Sequence, residues 1–278
     1  MASDRWVDAG GVADVERESL TVTTFNVWFS EYYAQDRFQA IARLLSRNPP
    51  DVMVFQEVTP EALEVFLTQP WIRVRYRRAE ITGAGVGNYG MLMLSRLPLG
   101  RVTYTRLPTH LDRGFLTAQL IVNGRPLVIT AIHLESGKAA SALRARQLGR
   151  VFGSLRRAEN AIVMGDFNMR DTENAIITAA YRDVWPALRP DEPGFTEDTS
   201  INHMRFDSKS KHRHVRFDRV LLKGDCWAAT EIDLLGTEPI AAELPRVFPS
   251  DHFGVRCRFE PHEITPTEPD RRQRFWRF

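Results

Sequence analysis

The octet Ala161-Ile162-Val163-Met164-Gly165-Asp166-Phe167-Asn168 joins an apolar run to two polar side chains. A short continuous apolar run of this kind reads as a strand buried on both faces. Asp166 and Asn168, two residues apart beyond its end, can point to one side of the chain. The octet therefore reads as a strand delivering polar groups to a cleft.

The same arrangement recurs outward from it. Strands are expected at Leu20–Phe25, Asp51–Phe55, Gly90–Leu94, Leu127–Ile132 and Phe217–Leu222. Between them, Asp36–Leu45 places Phe38, Ile41, Ala42 and Leu45 near one helical face, and Pro49-Pro50 stops that helix. Ala139–Ala158 reads as a longer helix with Leu143, Leu148, Val151, Phe152 and Leu155 at core spacing. Strands and helices alternating along the whole chain predict an α/β or α+β domain. The expected organisation is an N-terminal arm over 1–18, a domain over 19–260, and a basic tail over 261–278 carrying Arg271, Arg272, Arg274 and Arg277.

The 278 residues, 43% hydrophobic and 26% charged, are enough to bury one sizeable core. Cys226 and Cys257 are too few for a disulfide framework, so both are expected to be buried thiols in a reducing compartment. The first residues contain no apolar run resembling a signal peptide, and no stretch approaches the roughly 20 apolar residues of a membrane helix. The expectation is a soluble intracellular protein, nuclear or cytoplasmic. The net charge of +2 does not point to nucleic acid. Local charge matters more: His203–Arg219 holds six Lys or Arg and three His against two Asp. That run is either a solvated loop or a face turned to a phosphate backbone.

Polar segments end several strands: Thr24-Phe25-Asn26, Gln56-Glu57-Val58, His133-Leu134-Glu135-Ser136, Gly165-Asp166-Phe167-Asn168 and Ser250-Asp251-His252-Phe253-Gly254. Any one could be a turn, a cap or a structural histidine. Five together suggest a site. Glu57 with amide and carboxylate neighbours offers hard oxygen ligands suited to Mg²⁺ or Mn²⁺. Asp166 can hold and activate water while Asn168 donates to a phosphoryl oxygen, and His252 beside Asp251 can stabilise developing negative charge. A Cys/His cluster for zinc, a serine nucleophile elbow and a Walker-type loop are all missing, which favours attack by water.

In this order the motifs resemble the endonuclease/exonuclease/phosphatase superfamily. HLES at His133–Ser136, GDFNMRD at Gly165–Asp171, DVW at Asp183–Trp185, RFDR at Arg216–Arg219, DLLG at Asp233–Gly236 and FPSDHFG at Phe248–Gly254 are similar to its tyrosyl-DNA phosphodiesterase 2 family. The resemblance spans about residues 20–260. It implies a deoxyribonuclease-I-like four-layer sandwich, two packed mixed β-sheets flanked by helices. It further implies Mg²⁺-dependent hydrolysis of the bond between a tyrosine and a DNA 5′ end, by a monomer that leaves a 5′-phosphate. By that analogy Glu57 binds the metal, with Asn26 and Asp251 beside it, and Asp166 positions the attacking water. Asn168, His133 and His252 contact the scissile phosphate, while Ser136, Arg170 and Arg216 contact substrate. The partner would be DNA bearing a phosphotyrosyl peptide, with RNA carrying a protein primer as an alternative.

Two departures stand out. Phe25 occupies the position before the first catalytic asparagine where the family usually has tryptophan. Glu197, in Phe195-Thr196-Glu197-Asp198-Thr199, stands where the family has an aromatic that can pack on the DNA end. Tyr89, or the Tyr32-Tyr33 loop, is the candidate substitute. Alternatives are another phosphodiesterase or phosphatase of the superfamily, such as an abasic-site endonuclease, or an inactive nucleic-acid-binding scaffold.

Overall fold

In the computed structural model, which describes residues 13–83, 86–87 and 89–262, two mixed sheets pack face to face. The first contains β2 (Leu20–Asn26), β3 (Val52–Val58), β4 (Arg77–Ile81), β5 (Gly90–Ser95), β14 (Trp227–Leu235) and β15 (Gly254–Pro261), in the order β14-β15-β2-β3-β5-β4. The second contains β1 (Asp14–Val15), β6 (Val102–Arg106), β7 (Gly114–Val122), β8 (Arg125–His133), β9 (Ala161–Asp166), β10 (Tyr181–Asp183) and β13 (Asp218–Lys223). Its main path is β1-β7-β8-β9-β13-β10, and β6 pairs with β7. A short hairpin, β11 (Glu197–Asp198) with β12 (His214–Val215), stands apart.

Alternation within apolar strands creates the layers. In β9, Ile162 and Met164 enter the cluster between the sheets, whereas Ala161 and Val163 face outward. In β3, Val52 and Val54 point inward and Met53 and Phe55 outward. Both faces being covered, the strands read as unbroken apolar runs. The outer face of the first sheet is covered by α1 (Ala34–Ser46), α2 (Pro60–Thr68) and α3 (Pro70–Arg75), through Phe38, Ile41, Phe66 and Ile72. The outer face of the second is covered by α4 (Ser141–Ser154), through Leu148 and Val151. This is the expected four-layer sandwich.

Register decides where the site lies. β2 runs parallel to β3 with Asn26 opposite Gln56, and β8 runs parallel to β9 with His133 opposite Asp166. Antiparallel β13 starts with Asp218 opposite the same Asp166. The C-terminal ends of four strands and the start of a fifth thus meet at one edge of the sandwich.

Several expectations change. The long helix is shorter than Ala139–Ala158: a 3₁₀ turn occupies Lys138–Ala140, and a turn after Ser154 carries Leu155 into the core. Asp14–Val15 pair with Ile121–Val122 instead of belonging to an arm. The rest of the arm to residue 12 and the tail from 263, including its four arginines, lie outside the described residues. Cys257 is buried, but Cys226 is only half-buried. Among the described residues, no helix is long and apolar enough to cross a membrane.

Candidate active site

Asp166 closes β9 through a backbone that only glycine permits just before it. Gly165 has φ +144°, and a Cβ there would lie 2.0 Å from the Ile132 carbonyl oxygen of β8. Asn168 adopts the left-handed conformation at φ +50° and folds back. Its backbone N–H donates to Asp166 Oδ1 at 2.8 Å, and its side-chain amide donates to Asp166 Oδ2 and the Leu134 carbonyl, each at 3.1 Å. Asn26, at the end of β2, donates to Asp166 Oδ2 at 3.1 Å, and its own carbonyl accepts Trp28 N–H at 3.0 Å. Asp166 is thus fixed by three donors from two sheets. Burial, then the nearby Asp218 carboxylate, push its carboxyl up to about 7 despite those donors.

His133 closes β8 beside Asp166. Its Nδ1 lies 3.0 Å from Nη1 of Arg113, and because a guanidinium only donates, Nδ1 accepts and Nε2 carries the proton. That Nε2 is buried, lacks a hydrogen-bond partner, and points at Asp166 Oδ2 (3.5 Å) and Glu57 Oε1 (3.9 Å). Burial and the Arg113 charge hold this imidazole neutral. His252 is its opposite. Burial disfavours its charge, but Asp218, whose Oδ2 lies 2.7 Å from Nδ1, outweighs that with help from Asp251 and Asp166. His252 is therefore held as imidazolium, with Asp218 fixing the ring. Two histidines in one buried site carry opposite charge states.

Glu57 sits on a bulge of β3 at φ +60°, a costly conformation that lifts its carboxylate from the sheet edge. Its Oε2 accepts Phe29 N–H at 3.2 Å. Burial and Asp251 push its carboxyl up. Crowded carboxylates that raise one another are what a hard divalent cation relieves, so the donor set fits such an ion. Among the described residues, Asp166, Asp218 and His252 also place one ligand atom each within 4.8 Å of one another. In that trio the His252–Asp218 hydrogen bond already uses one ligand atom from each, and Asp218 Oδ1 has no hydrogen-bond partner. Of the other expected ligands, Asn26 has its oxygen on Trp28, and Asp251 gives Oδ2 to Arg205 at 3.2 Å.

Other expected residues are placed less directly. Tyr89 stacks on Phe29 with centroids 4.8 Å apart, lies 6.1 Å from the His133 ring, and accepts from Arg113 at 3.1 Å. Arg170 lies over Phe217 at 5.9 Å, and Phe217 is 6.0 Å from the His252 ring, so Arg170 borders the site from the other side. Arg216 is not a free DNA contact. It is buried, with Nη1 on both Asp183 oxygens at 2.8 and 2.9 Å and Nη2 on Asp171 at 3.1 Å. Ser136 is exposed beyond the end of β8.

The basic run His203–Arg219 is not one surface either. It forms α5 (His203–Lys209), a loop and the start of β13. Arg205, Arg216 and Arg219 are buried in ion pairs, and only part of the run reaches solvent. Glu197 is fully buried. It holds Arg205 at 2.5 Å and Arg213 at 3.3 Å, so it faces inward where the family aromatic would face DNA.

Asp218 and Arg113 are the residues that sequence reasoning passed over. Asp218 was legible, since it lies in RFDR at the head of a strand. Arg113 was not: it stands in an unremarkable loop, and only the register of β7 on β8, Gly114 opposite His133, brings it to the histidine.

A sandwich whose facing strand ends carry a glutamate, an aspartate–asparagine pair and two histidines matches the model of the endonuclease/exonuclease/phosphatase family over residues 23–252, and the chain belongs to that family. Within it the curated relatives are named tyrosyl-DNA phosphodiesterase 2. The Xenopus laevis protein is 30% identical over 264 residues, which cover 88% of this chain and 68% of that one, and this places the chain in the tyrosyl-DNA phosphodiesterase 2 group. The Gallus gallus protein is 31% identical over 245 residues, and the match spans 81% of this chain but 62% of that relative's length. The crystal structure of Danio rerio tyrosyl-DNA phosphodiesterase 2 with a single-strand DNA product superposes with a TM-score of 0.77 at 27% identity, covering 88% of this chain and all of that one.

Proposed function

We propose that this chain is a divalent-metal-dependent phosphodiesterase that hydrolyses the bond between a tyrosine oxygen and a DNA 5′-phosphate. The observation that carries this reading is the convergence of Asp166, His133 and His252, in three different charge environments, beside Glu57. The substrate is supported by the names of the relatives and by the DNA product in the Danio rerio structure.

Asp166 is the general base, and a carboxyl near 7 suits a base working at neutral pH. Asp166 takes a proton from water, the water oxygen bonds to phosphorus, and the phosphorus–tyrosyl oxygen bond breaks. Asn26 and Asn168 hold the base. Both amide hydrogens of Asn168 are committed, which favours a positioning role over the expected phosphate contact. The protonated Nε2 of His133 donates to a phosphoryl oxygen. The imidazolium of His252 donates to the charge that develops as the bond breaks. The leaving phenolate, with a reference pKa of about 10, needs less protonation than an alkoxide would. Mg²⁺ or Mn²⁺ held by Glu57 would supply Lewis-acid stabilisation of the phosphoryl oxygens.

The substrate is tested by offering a 5′-tyrosyl oligonucleotide, a 3′-tyrosyl oligonucleotide and an abasic duplex side by side. Preference for the first is expected. Preference for the abasic duplex would leave the chemistry intact and overturn the substrate.

A further inference from the structure

Three of the largest exposed apolar side chains cluster on the loop from β2 to α1: Phe29 at 46%, Tyr32 at 49% and Tyr33 at 41% exposure. The loop is built to present them. Arg37 of α1 is fully buried beneath it and donates to the carbonyls of Val27, Trp28, Ser30, Tyr32 and Pro249 at 2.6–3.3 Å. Its guanidinium also lies 4.8 Å over the Trp28 ring. On the other side, Phe29 N–H is fastened to Glu57. A loop stitched to the core at this many points holds its aromatic rings in place without further ordering on contact.

The rings continue the site outward. His133, Tyr89 and Phe29 form successive stacked pairs, and Tyr32 and Tyr33 pack edge-on at 4.8 Å on the same loop. Aromatic surface of this kind binds either bases or polypeptide. Charge separates the two. The exposed charges on the loop and the first turn of α1 are Glu31 and Asp36, and the arginine of that turn, Arg37, is buried. Arg246, which reaches toward Tyr32, is held by Asp207 at 2.6 and 2.7 Å. A nucleic-acid strand needs cations along its phosphates. An acidic aromatic rim suits a polypeptide with basic flanks.

From this we propose that Phe29, Tyr32 and Tyr33 form a docking surface for the peptide that surrounds the scissile tyrosine. The proposal rests on the phosphotyrosyl reading above and adds which macromolecule meets this face. The DNA is left to the Arg170 side.

The test compares one oligonucleotide carrying a lone 5′-tyrosine with the same oligonucleotide carrying that tyrosine inside a lysine-flanked peptide. The double variant Tyr32→Ala/Tyr33→Ala is expected to lose about tenfold more kcat/KM on the peptide adduct than on the lone tyrosine, with the loss in KM. Glu31→Lys, a surface change that spares the fold, is expected to penalise only the lysine-flanked peptide. Equal losses on both substrates would overturn the proposal. So would a loss that grows with DNA length, which would make this a nucleic-acid surface. A wild type that cleaves an aryl phosphodiester but neither tyrosyl substrate would refute the underlying reading. A wild type that cleaves both, with variants that do not discriminate, would refute this inference alone.

Discussion

Asp218 places Oδ2 2.7 Å from Nδ1 of His252, and the pair is buried at the junction of the two sheets. The Oδ1 of Asp218 has no hydrogen-bond partner, and its charge acts on both neighbours, favouring the His252 imidazolium and raising the Asp166 carboxyl. Of the groups that oppose burial and favour the imidazolium, the Asp218 carboxylate is the largest, ahead of Asp251 and Asp166. Asp218→Asn should therefore lower the His252 pKa, as followed by NMR titration. It should lower kcat by about 10²–10³. His252→Ala should cost a similar factor and the double variant little more, because the two residues act as a unit.

Asp166 carries a stability cost that follows pH. Its folded pKa, about 7, lies above the unfolded 3.8, so between these values the folded state binds the extra proton. Stability of the metal-free protein should then fall as pH rises from about 4 to 7. His252, also raised in the fold, extends that fall above its unfolded value of about 6.5. Asp166→Asn removes the first component. The inactive variant should show a flatter profile and a Tm several degrees higher at pH 7, measured by calorimetry in chelator. A lower Tm at neutral pH would contradict the frustration assigned to this carboxylate.

Glu197 is a structural ion, so restoring the family aromatic should not improve the protein. Glu197→Trp strands Arg205, which is held between Glu197 and Asp251, with half of its compensation gone. A loss of about 3–5 kcal/mol in urea unfolding is expected. Activity should fall with it because Arg205, which holds Asp251, loses its other carboxylate partner. Replacing Glu197 and Arg205 together by leucines should recover much of the stability but not the activity.

Arg216 and Arg219 both clamp Asp183 and Asp171. Arg216→Ala should lower Tm by leaving half-buried Asp183 with Arg219 alone, with KM for a DNA substrate within about twofold of wild type. A selective rise in KM with unchanged Tm would return Arg216 to substrate binding.

The strands nearest the chemistry were legible because both of their faces are buried, which makes them continuous apolar runs ending in polar residues. β7 and β14 were not. β7 alternates Gln119 and Thr117 outward, and β14 is an edge strand with exposed Thr230, Glu231 and Asp233, so neither has an unbroken run. At the site, Asp166, Asn168, His133, Glu57 and His252 were readable as strand-end polar groups. The charge states of the histidines were not, because they depend on Arg113 and Asp218, brought in by register from 20 and 34 residues away. The basic run misled for a related reason: composition counts charges, and three of its four arginines are buried in ion pairs.

The most direct measurement is release of tyrosine from a 5′-phosphotyrosyl oligonucleotide by wild type and Asp166→Asn, each with Mg²⁺ and with excess chelator. Rapid release by wild type that requires Mg²⁺ and is lost in Asp166→Asn is the expected result. Release by Asp166→Asn at the wild-type rate would contradict the assignment of Asp166 as the base on which the site is organised.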